Sequence, residues 1–110
     1  QSWGAQIIEM MRLISGGDES RIHFAGAEGN IPEAAELGSL GVKLIFGVGH
    51  ETTGATTYSD SDIENLLAWI DLDPTNHHAV LDATSLLGAM PWNETLVKQV
   101  MKKCCFFMLN

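Results

Sequence analysis

The run VKLIFGVG, residues 42–49, is the feature that most restricts how this chain can fold. Apart from Lys43 it holds only apolar residues and glycine, without the polar alternation typical of a strand with one wet face. An unbroken apolar run of this length is typical of a strand that is buried on both faces. Helical patterns precede and follow it, as in a parallel sheet with crossover helices. The sequence therefore predicts an α/β fold, a mostly parallel sheet with helices on both faces.

Helix and strand patterns alternate along the rest of the chain. Apolar residues keep helical spacing near the amino terminus, at Trp3, Ile7, Ile8, Met11 and Ile14, and Gly16-Gly17 ends that helix. Further helices are predicted over SDSDIENLLAWI (59–70) and ETLVKQVMKK (94–103), and a weak one over IPEAAELGSLG (31–41). Strands are predicted over RIHFAG (21–26), HAVLDA (78–83) and CCFFML (104–109).

The second long helix carries its own start signal. Ser61 and Glu64 have the spacing of a capping box, in which each side chain bonds the other residue's backbone amide. The apolar stripe behind them consists of Ile63, Leu66, Leu67 and Ile70. In the same way, Asn93 is predicted to cap the helix that follows it.

Size and charge narrow the classes of function. A chain of 110 residues forms one domain, and its net charge of −8 argues against a nucleic-acid partner, which requires clustered Lys and Arg. No apolar run is long enough to span a membrane, so no membrane role is expected. We expect small-molecule ligands. Because the chain begins at Gln1 and stops at Asn110 behind a strand-like run, we also expect a segment of a larger protein.

The two cysteines, Cys104 and Cys105, are adjacent in the sequence. Neighbouring residues meet disulfide geometry only with strain, so both are predicted to be reduced thiols. Reduced thiols fit a cytoplasmic protein. The four histidines lack the spacing of a metal-binding set, and we expect no metal site.

Polar residues follow two of the predicted strands, in GVGHETTG (47–54) and DATS (82–85). Ligands of open α/β sheets bind at the carboxyl ends of the strands, where both clusters fall. Asp82 is the strongest candidate for a functional residue. It could cap a helix or bond loop amides, but it could also hold a metal, accept a phosphoryl group or pair with a cationic ring nitrogen. Thr84 and Ser85 add hydroxyls and amides suited to an anion.

The first of these clusters only weakly resembles a dinucleotide-binding turn. Gly47 and Gly49 match the first two glycines of G-x-G-x-x-G, but Thr52 stands at the third and no capped helix opens there. Thr52, Thr53 and Thr56 are better interpreted as loop hydroxyls.

Three short motifs in order carry a more specific resemblance. SWG (2–4), HETTG (50–54) and DATS (82–85) resemble the phosphoserine aminotransferase family, a branch of the class V aminotransferases. The resemblance covers nearly the whole chain and implies that residues 1–110 are a segment of the pyridoxal-phosphate-binding large domain. It implies a fold-type-I, homodimeric enzyme that moves an amino group between glutamate and 3-phosphohydroxypyruvate in serine biosynthesis.

The resemblance also implies roles for five residues. Trp3 would stack on the ring of pyridoxal 5'-phosphate, and Thr52 would bond the phenolic oxygen of that ring. Asp82 would pair with the pyridine nitrogen and keep it protonated, which makes Asp82 the catalytic residue of the segment. Thr84 and Asn110 would contact the cofactor phosphate.

The family also requires a lysine that binds the cofactor covalently. None of Lys43, Lys98, Lys102 and Lys103 stands at the equivalent position, so the isolated segment is predicted to be inactive. Two alternatives remain at this stage. One is another class V pyridoxal-phosphate enzyme, such as an alanine–glyoxylate aminotransferase or a cysteine desulfurase. The other is a small acidic receiver domain with Asp82 as phospho-acceptor, although Ala27 and Glu28 replace the acidic pair it needs.

Overall fold

The computed structural model describes residues 5–26, 29–49, 56–82 and 93–107. Four α-helices and four strands alternate within these ranges, and a 3₁₀ turn, Glu19–Arg21, precedes the first strand. The helices are α1 (Ala5–Ser15), α2 (Ala34–Ser39), α3 (Asp60–Leu72) and α4 (Glu94–Lys103). The strands are β1 (Ile22–Gly26), β2 (Leu44–Gly49), β3 (His78–Asp82) and β4 (Cys105–Phe107). The predicted α/β alternation is confirmed. None of the described helices has the length and apolar character needed to cross a membrane.

The four strands form one sheet in which every neighbouring pair is parallel. Their order is the chain order, β1-β2-β3-β4, with Phe46 opposite both Phe24 and Val80. Parallel neighbours require a connection that returns along the sheet, which α2, α3 and α4 provide. All four carboxyl ends therefore lie at one edge of the sheet, and all four amino ends lie at the other.

Alternate residues of β2 enter two different hydrophobic cores. Ile45 belongs to the larger core, which contains side chains of α2, α3 and α4. Leu44 and Phe46 belong to the smaller core, which is covered by α1. All three side chains have no exposed surface. The predicted burial of this strand on both faces, with helices on each side, is confirmed.

Helix α1 covers its face of the sheet with a narrow stripe. Ile7, Met10, Met11 and Ile14 pack against the smaller core. Ile8, which was predicted to belong to the stripe, is 51% exposed. The prediction was wrong because Ile8 follows Ile7 by about 100° around the helix, away from a stripe centred on positions 7, 11 and 14. Gly16 and Gly17 end the helix as predicted, both with positive φ.

Helix α3 buries the predicted stripe of Ile63, Leu66, Leu67 and Ile70. Trp69 is also fully buried, and its ring stacks on His77 with centroids 4.4 Å apart and planes 7° from parallel. Nδ1 of His77 lies 2.8 Å from the carbonyl oxygen of Trp69, an acceptor, so Nδ1 donates. His77 therefore fixes the turn between α3 and β3 to the end of the helix.

The start of α3 differs from the prediction. The capping box is formed by Ser59 and Asp62: Ser59 Oγ accepts from the Asp62 amide, and Asp62 Oδ2 accepts from the Ser59 amide, both at 3.0 Å. The predicted pair, Ser61 and Glu64, has the same spacing but was wrong. Asp62 has a second partner, because its Oδ1 accepts from the amide of Ile31 at 2.9 Å. This long-range bond favours the capping box that begins at Ser59 over the one that begins at Ser61.

Asn93 caps α4 as predicted. Its side-chain oxygen accepts from the amide of Leu96 at 3.1 Å, which satisfies one of the free amides in the first turn. Leu96 is itself buried in the larger core, so the cap also fixes the rotation of α4 over the sheet.

The choice between the two capping boxes can be tested by substitution. Asp62→Ala removes a cap and leaves the buried Ile31 amide without its acceptor, so we expect a loss of about 2–3 kcal/mol of unfolding free energy. Glu64→Ala, on the exposed side of the same helix, is expected to change it by less than about 0.5 kcal/mol. Chemical denaturation measures both, and equal losses would contradict the assignment.

Candidate functional site

The carboxyl edge of the sheet holds the one predicted site residue that the structure describes. Asp82 is the last residue of β3, as the sequence predicts. The other predicted site residues, Trp3, Thr52, Thr84 and Asn110, lie outside the described residues, as do Thr53 and Ser85. The site is therefore built here from Asp82 and from the residues that contact it.

Both oxygens of the Asp82 carboxylate accept hydrogen bonds. Oδ2 accepts from the backbone amide of Thr56, and Oδ1 accepts from the hydroxyl of Tyr58, each at 3.1 Å. The carboxylate has no exposed surface. Val80, two residues earlier on β3, belongs to the smaller core, whereas Tyr58 belongs to the larger core. The two hydrogen bonds to Asp82 therefore connect the end of β3 to residues 56–58, which precede α3.

The segment that supplies both donors has the pattern of a short strand. Thr56 and Tyr58 are each 2% exposed, whereas Thr57 between them is exposed. An extended chain points alternate residues to opposite sides, so both buried residues face the sheet. Ser59 then caps α3, and its amide bonds Asp62. Residues 56–59 are held at one end by Asp82 and at the other by Asp62.

Gly47 of β2 makes room for this arrangement. A Cβ at this position would overlap the hydroxyl oxygen of Tyr58 and lie 2.9 Å from Oδ1 of Asp82. Any side chain here would therefore displace the hydrogen bond between Tyr58 and Asp82. The requirement for glycine is steric, and it arises from two residues that are distant in the sequence.

Burial dominates the electrostatics of the site. It raises the pKa of the Asp82 carboxyl above its ordinary value, against the opposing effect of the hydrogen bonds from Thr56 and Tyr58. Burial, followed by the negative charge of Asp82, also raises the pKa of Tyr58, so its hydroxyl remains a neutral donor. Among the described Lys, Arg and His residues, none forms an ion pair with Asp82.

The hydrogen bonds that Asp82 accepts from Thr56 and Tyr58 all come from neutral donors. A cation that reached the carboxylate would lower the pKa of Asp82 and stabilise its ionised form. Within the described ranges, no group of three or more Asp, Glu, His or Cys side chains is placed to hold a metal ion.

The cysteines lie at the far end of α4 and are both free. Cys104 is the residue at which α4 ends, and Cys105 begins β4. Burial raises the pKa of the Cys104 thiol to about 12, which keeps it protonated and unreactive near neutral pH.

Two residues of the site were missed in the sequence. Tyr58 was not predicted to be a site residue. The alternation of Thr56, Thr57 and Tyr58 just before a helix cap is nevertheless a recognisable signal of an extended, half-buried segment. Gly47 was considered only as part of a weak dinucleotide motif. Its actual role could be found only from the positions of Tyr58 and Asp82 in space.

The steric role of Gly47 predicts a clear difference between two glycine substitutions. Gly47→Ala is expected to lower the unfolding free energy by about 1–3 kcal/mol, because the new methyl group must displace Tyr58 or Asp82. Gly26→Ala in the neighbouring strand meets no atom within 4 Å and is expected to be neutral or slightly stabilising. Denaturation curves of both variants check this, and equal effects would contradict it.

The raised pKa of Asp82 predicts a dependence of stability on pH. The folded state retains the proton of Asp82 to higher pH than the unfolded state, so this group's contribution to stability falls as pH rises from about 4 through the folded pKa. Asp82→Asn has no such group. Its unfolding free energy relative to the wild type is therefore expected to increase between pH 4 and pH 7, as measured by urea denaturation.

Asp18 provides a control of opposite sign. Hydrogen bonds from Ser20 lower the pKa of its carboxyl, so its contribution to stability grows as pH rises towards the unfolded value near 4 and is constant above it. Asp18→Asn is therefore expected to lose stability relative to the wild type as pH rises towards about 4, and to change little between pH 4 and pH 7. If Asp18→Asn showed the same increase between pH 4 and pH 7 as Asp82→Asn, the assignment at Asp82 would be wrong.

No protein-family model, no curated protein and no solved structure matches this chain.

Proposed function

We propose that this chain is the cofactor-binding segment of a pyridoxal-phosphate-dependent aminotransferase, in which Asp82 pairs with the pyridine nitrogen. The observation that supports the proposal is a fully buried carboxylate at the carboxyl end of a parallel strand, held by the neutral donors of Thr56 and Tyr58. No cation among the described residues balances its charge. The resemblance of SWG, HETTG and DATS to the phosphoserine aminotransferase family supports the same assignment.

A protonated pyridine nitrogen would supply a positive charge next to this buried carboxylate. An anion buried with only neutral donors is costly, and a cation that donates a hydrogen bond offsets that cost. The stabilisation is mutual, because the negative charge of Asp82 raises the pKa of the ring nitrogen while the ring lowers the pKa of Asp82. When bound, the cofactor supplies an electron sink for the carbanion formed at the substrate α-carbon.

The residues around Asp82 would orient it for this role. The Thr56 amide and the Tyr58 hydroxyl each hold one carboxylate oxygen, so the plane of the carboxylate is set before a ligand arrives. Because Asp82 has no exposed surface, a ring that reaches it displaces some of the chain that covers it. Tyr58 is a positioning residue in this proposal, since it acts through Asp82.

The proposed reaction is amino transfer between glutamate and 3-phosphohydroxypyruvate, a step of serine biosynthesis, in a cytoplasmic homodimer. The lysine that such a reaction requires is not supplied near Asp82 by the segment. Lys43 immediately precedes β2, at the amino edge of the sheet. Lys98 pairs with Glu94, and Lys103 pairs with Asp71, on the helices. The proposal therefore assigns cofactor binding to this segment and no turnover of its own.

One observation weighs against the receiver-domain alternative. Receiver domains have the strand order 2-1-3-4-5, in which the second strand lies outside the first. The described strands follow chain order instead.

Binding of pyridoxamine 5'-phosphate tests the proposal. This form of the cofactor has no aldehyde and cannot react with surface lysines, so it reports the non-covalent site alone. We expect Asp82→Asn to weaken its binding by about tenfold or more, the effect of losing a charged hydrogen bond. The control Asp71→Asn removes the same charge from an exposed position on α3 and is expected to change binding little. Isothermal titration calorimetry measures both.

Two further measurements sharpen this test. Tyr58→Phe removes one donor to Asp82 and is expected to weaken binding less than Asp82→Asn does. Benzyl phosphate, which lacks the ring nitrogen, is expected to bind the wild type and Asp82→Asn equally. The proposal fails if Asp82→Asn remains folded and binds pyridoxamine 5'-phosphate as well as the wild type does.

A further inference from the structure

The amino edge of the sheet, opposite the edge that holds Asp82, carries a second groove. Six residues line this amino-edge groove, which has a volume of 490 Å³: Leu13, Ile14, Arg21, Lys43, Asn76 and His78. We propose that it binds a small phosphate monoester whose organic part is apolar. The proposal is independent of the function proposed for Asp82, since the two sites share no residue.

The charge of the groove is opposite to that of the chain. The protein carries 14 acidic residues against six Lys and Arg, a net charge of −8. Arg21 and Lys43, two of those six, line the groove together with His78, whereas no acidic residue of the described chain lines it. An anion that approaches this acidic protein would therefore meet a local concentration of positive charge here.

The sheet fixes the spacing of these three residues. The Lys43 amide donates to the Arg21 carbonyl at 2.7 Å, and the His78 amide donates to the Lys43 carbonyl at 3.0 Å. These bonds continue the parallel ladder to its amino end, where neighbouring strands lie about 4.8 Å apart. The three side chains thus start from one rigid edge and not from separate loops.

The cationic side chains are available to a ligand. Lys43 forms no ion pair or side-chain hydrogen bond with any described residue. Arg21 has Asp18 as a neighbour, but their closest atoms are 3.8 Å apart and both side chains are more than half exposed. Asp18 accepts shorter bonds from the amide and hydroxyl of Ser20. A doubly charged phosphate would compete well with so loose a pair.

Asp73 is a second carboxylate close to this edge. Its oxygens accept from Nδ2 of Asn76 at 3.2 and 3.0 Å. These bonds first, and then the charges of His77 and Lys43, lower the pKa of the Asp73 carboxyl. Asp73 thus binds Asn76 and forms no salt bridge to Lys43.

The donors and the wall of the groove select the class of ligand. The planar guanidinium of Arg21 and the ammonium of Lys43 suit the several oxygens of a phosphate monoester, which carries more charge than a single carboxylate. Leu13 and Ile14 form an apolar wall, and Leu13 is 68% exposed. Burial of that surface by a small organic group would add to the affinity.

Phenyl phosphate is the probe for a nuclear magnetic resonance titration of the folded chain. We expect saturable shifts of the amide signals of Arg21, Lys43 and His78 that are the same in the wild type and in Asp82→Asn. Phenol, which lacks the charge, is expected to produce no saturable shift there. Inorganic phosphate, which lacks the ring, is expected to bind at the same amides more weakly than phenyl phosphate.

A charge-matched pair of variants tests the residues themselves. Arg21→Gln combined with Lys43→Gln is expected to weaken phenyl phosphate binding by about tenfold or more. Lys98→Gln combined with Lys102→Gln removes the same charge from α4 and is expected to change binding less than twofold. Equal weakening in both pairs would overturn the proposal, because it would show a response to net charge alone.

The wild-type titration decides the question even if a variant does not fold. Absence of saturable shifts at the three groove amides overturns the proposal. Phenol shifts equal to those of phenyl phosphate would also overturn it, because they would show an apolar site without anion recognition. Shifts confined to Thr56 and Asp82 would place the anion at the opposite edge only and refute the amino-edge groove as its site.

Discussion

Burial of β2 on both faces is the constraint on which the rest of this structure depends. Leu44, Ile45 and Phe46 have no exposed surface, so helices must cover the sheet on both sides. The neighbouring strands are parallel, and each connection must therefore cross back along the sheet before the next strand begins. That requirement gathers all carboxyl ends at one edge and all amino ends at the other. Side chains at these edges need not pack in a core, and the polar residues occur there.

Two carboxylates hold the same short segment of chain at the carboxyl edge. Asp82 accepts from the Thr56 amide and the Tyr58 hydroxyl, and Asp62 accepts from the amides of Ser59 and Ile31. Asp62 stands at a helix start, where free amides and the helix dipole favour a negative charge. Asp82 has no such compensation, and burial raises its pKa. Of the two, Asp82 is therefore the carboxylate that the proposed pyridine nitrogen would stabilise.

The sequence predicted the elements of this fold well because their signals are local. Three of these signals are the apolar run around Ile45, the stripe on α3 and the Asn93 cap. Each depends only on residues that are close in the sequence. The capping register of α3 was not predictable in this way. Ser59–Asp62 and Ser61–Glu64 have the same spacing, and the bond from Ile31 to Asp62 that favours the first pair spans 31 positions.

The candidate site was predictable only in part, for the same physical reason. The position of Asp82 follows from where an apolar run ends, which is a local signal. Its partner Tyr58 lies 24 positions away, and the need for glycine at position 47 appears only once Tyr58 and Asp82 are in place. Side chains that meet across loops leave no periodic trace in the sequence.

The two edges of the sheet differ in the sign of the charge that they concentrate. Asp82 ends β3 at one edge, while Arg21 and Lys43 precede β1 and β2 at the other. Each five- or six-residue strand separates these groups by about 16–20 Å, so they form no direct ion pair. A ligand at one edge would meet the Asp82 carboxylate, and a ligand at the other would meet Arg21 and Lys43.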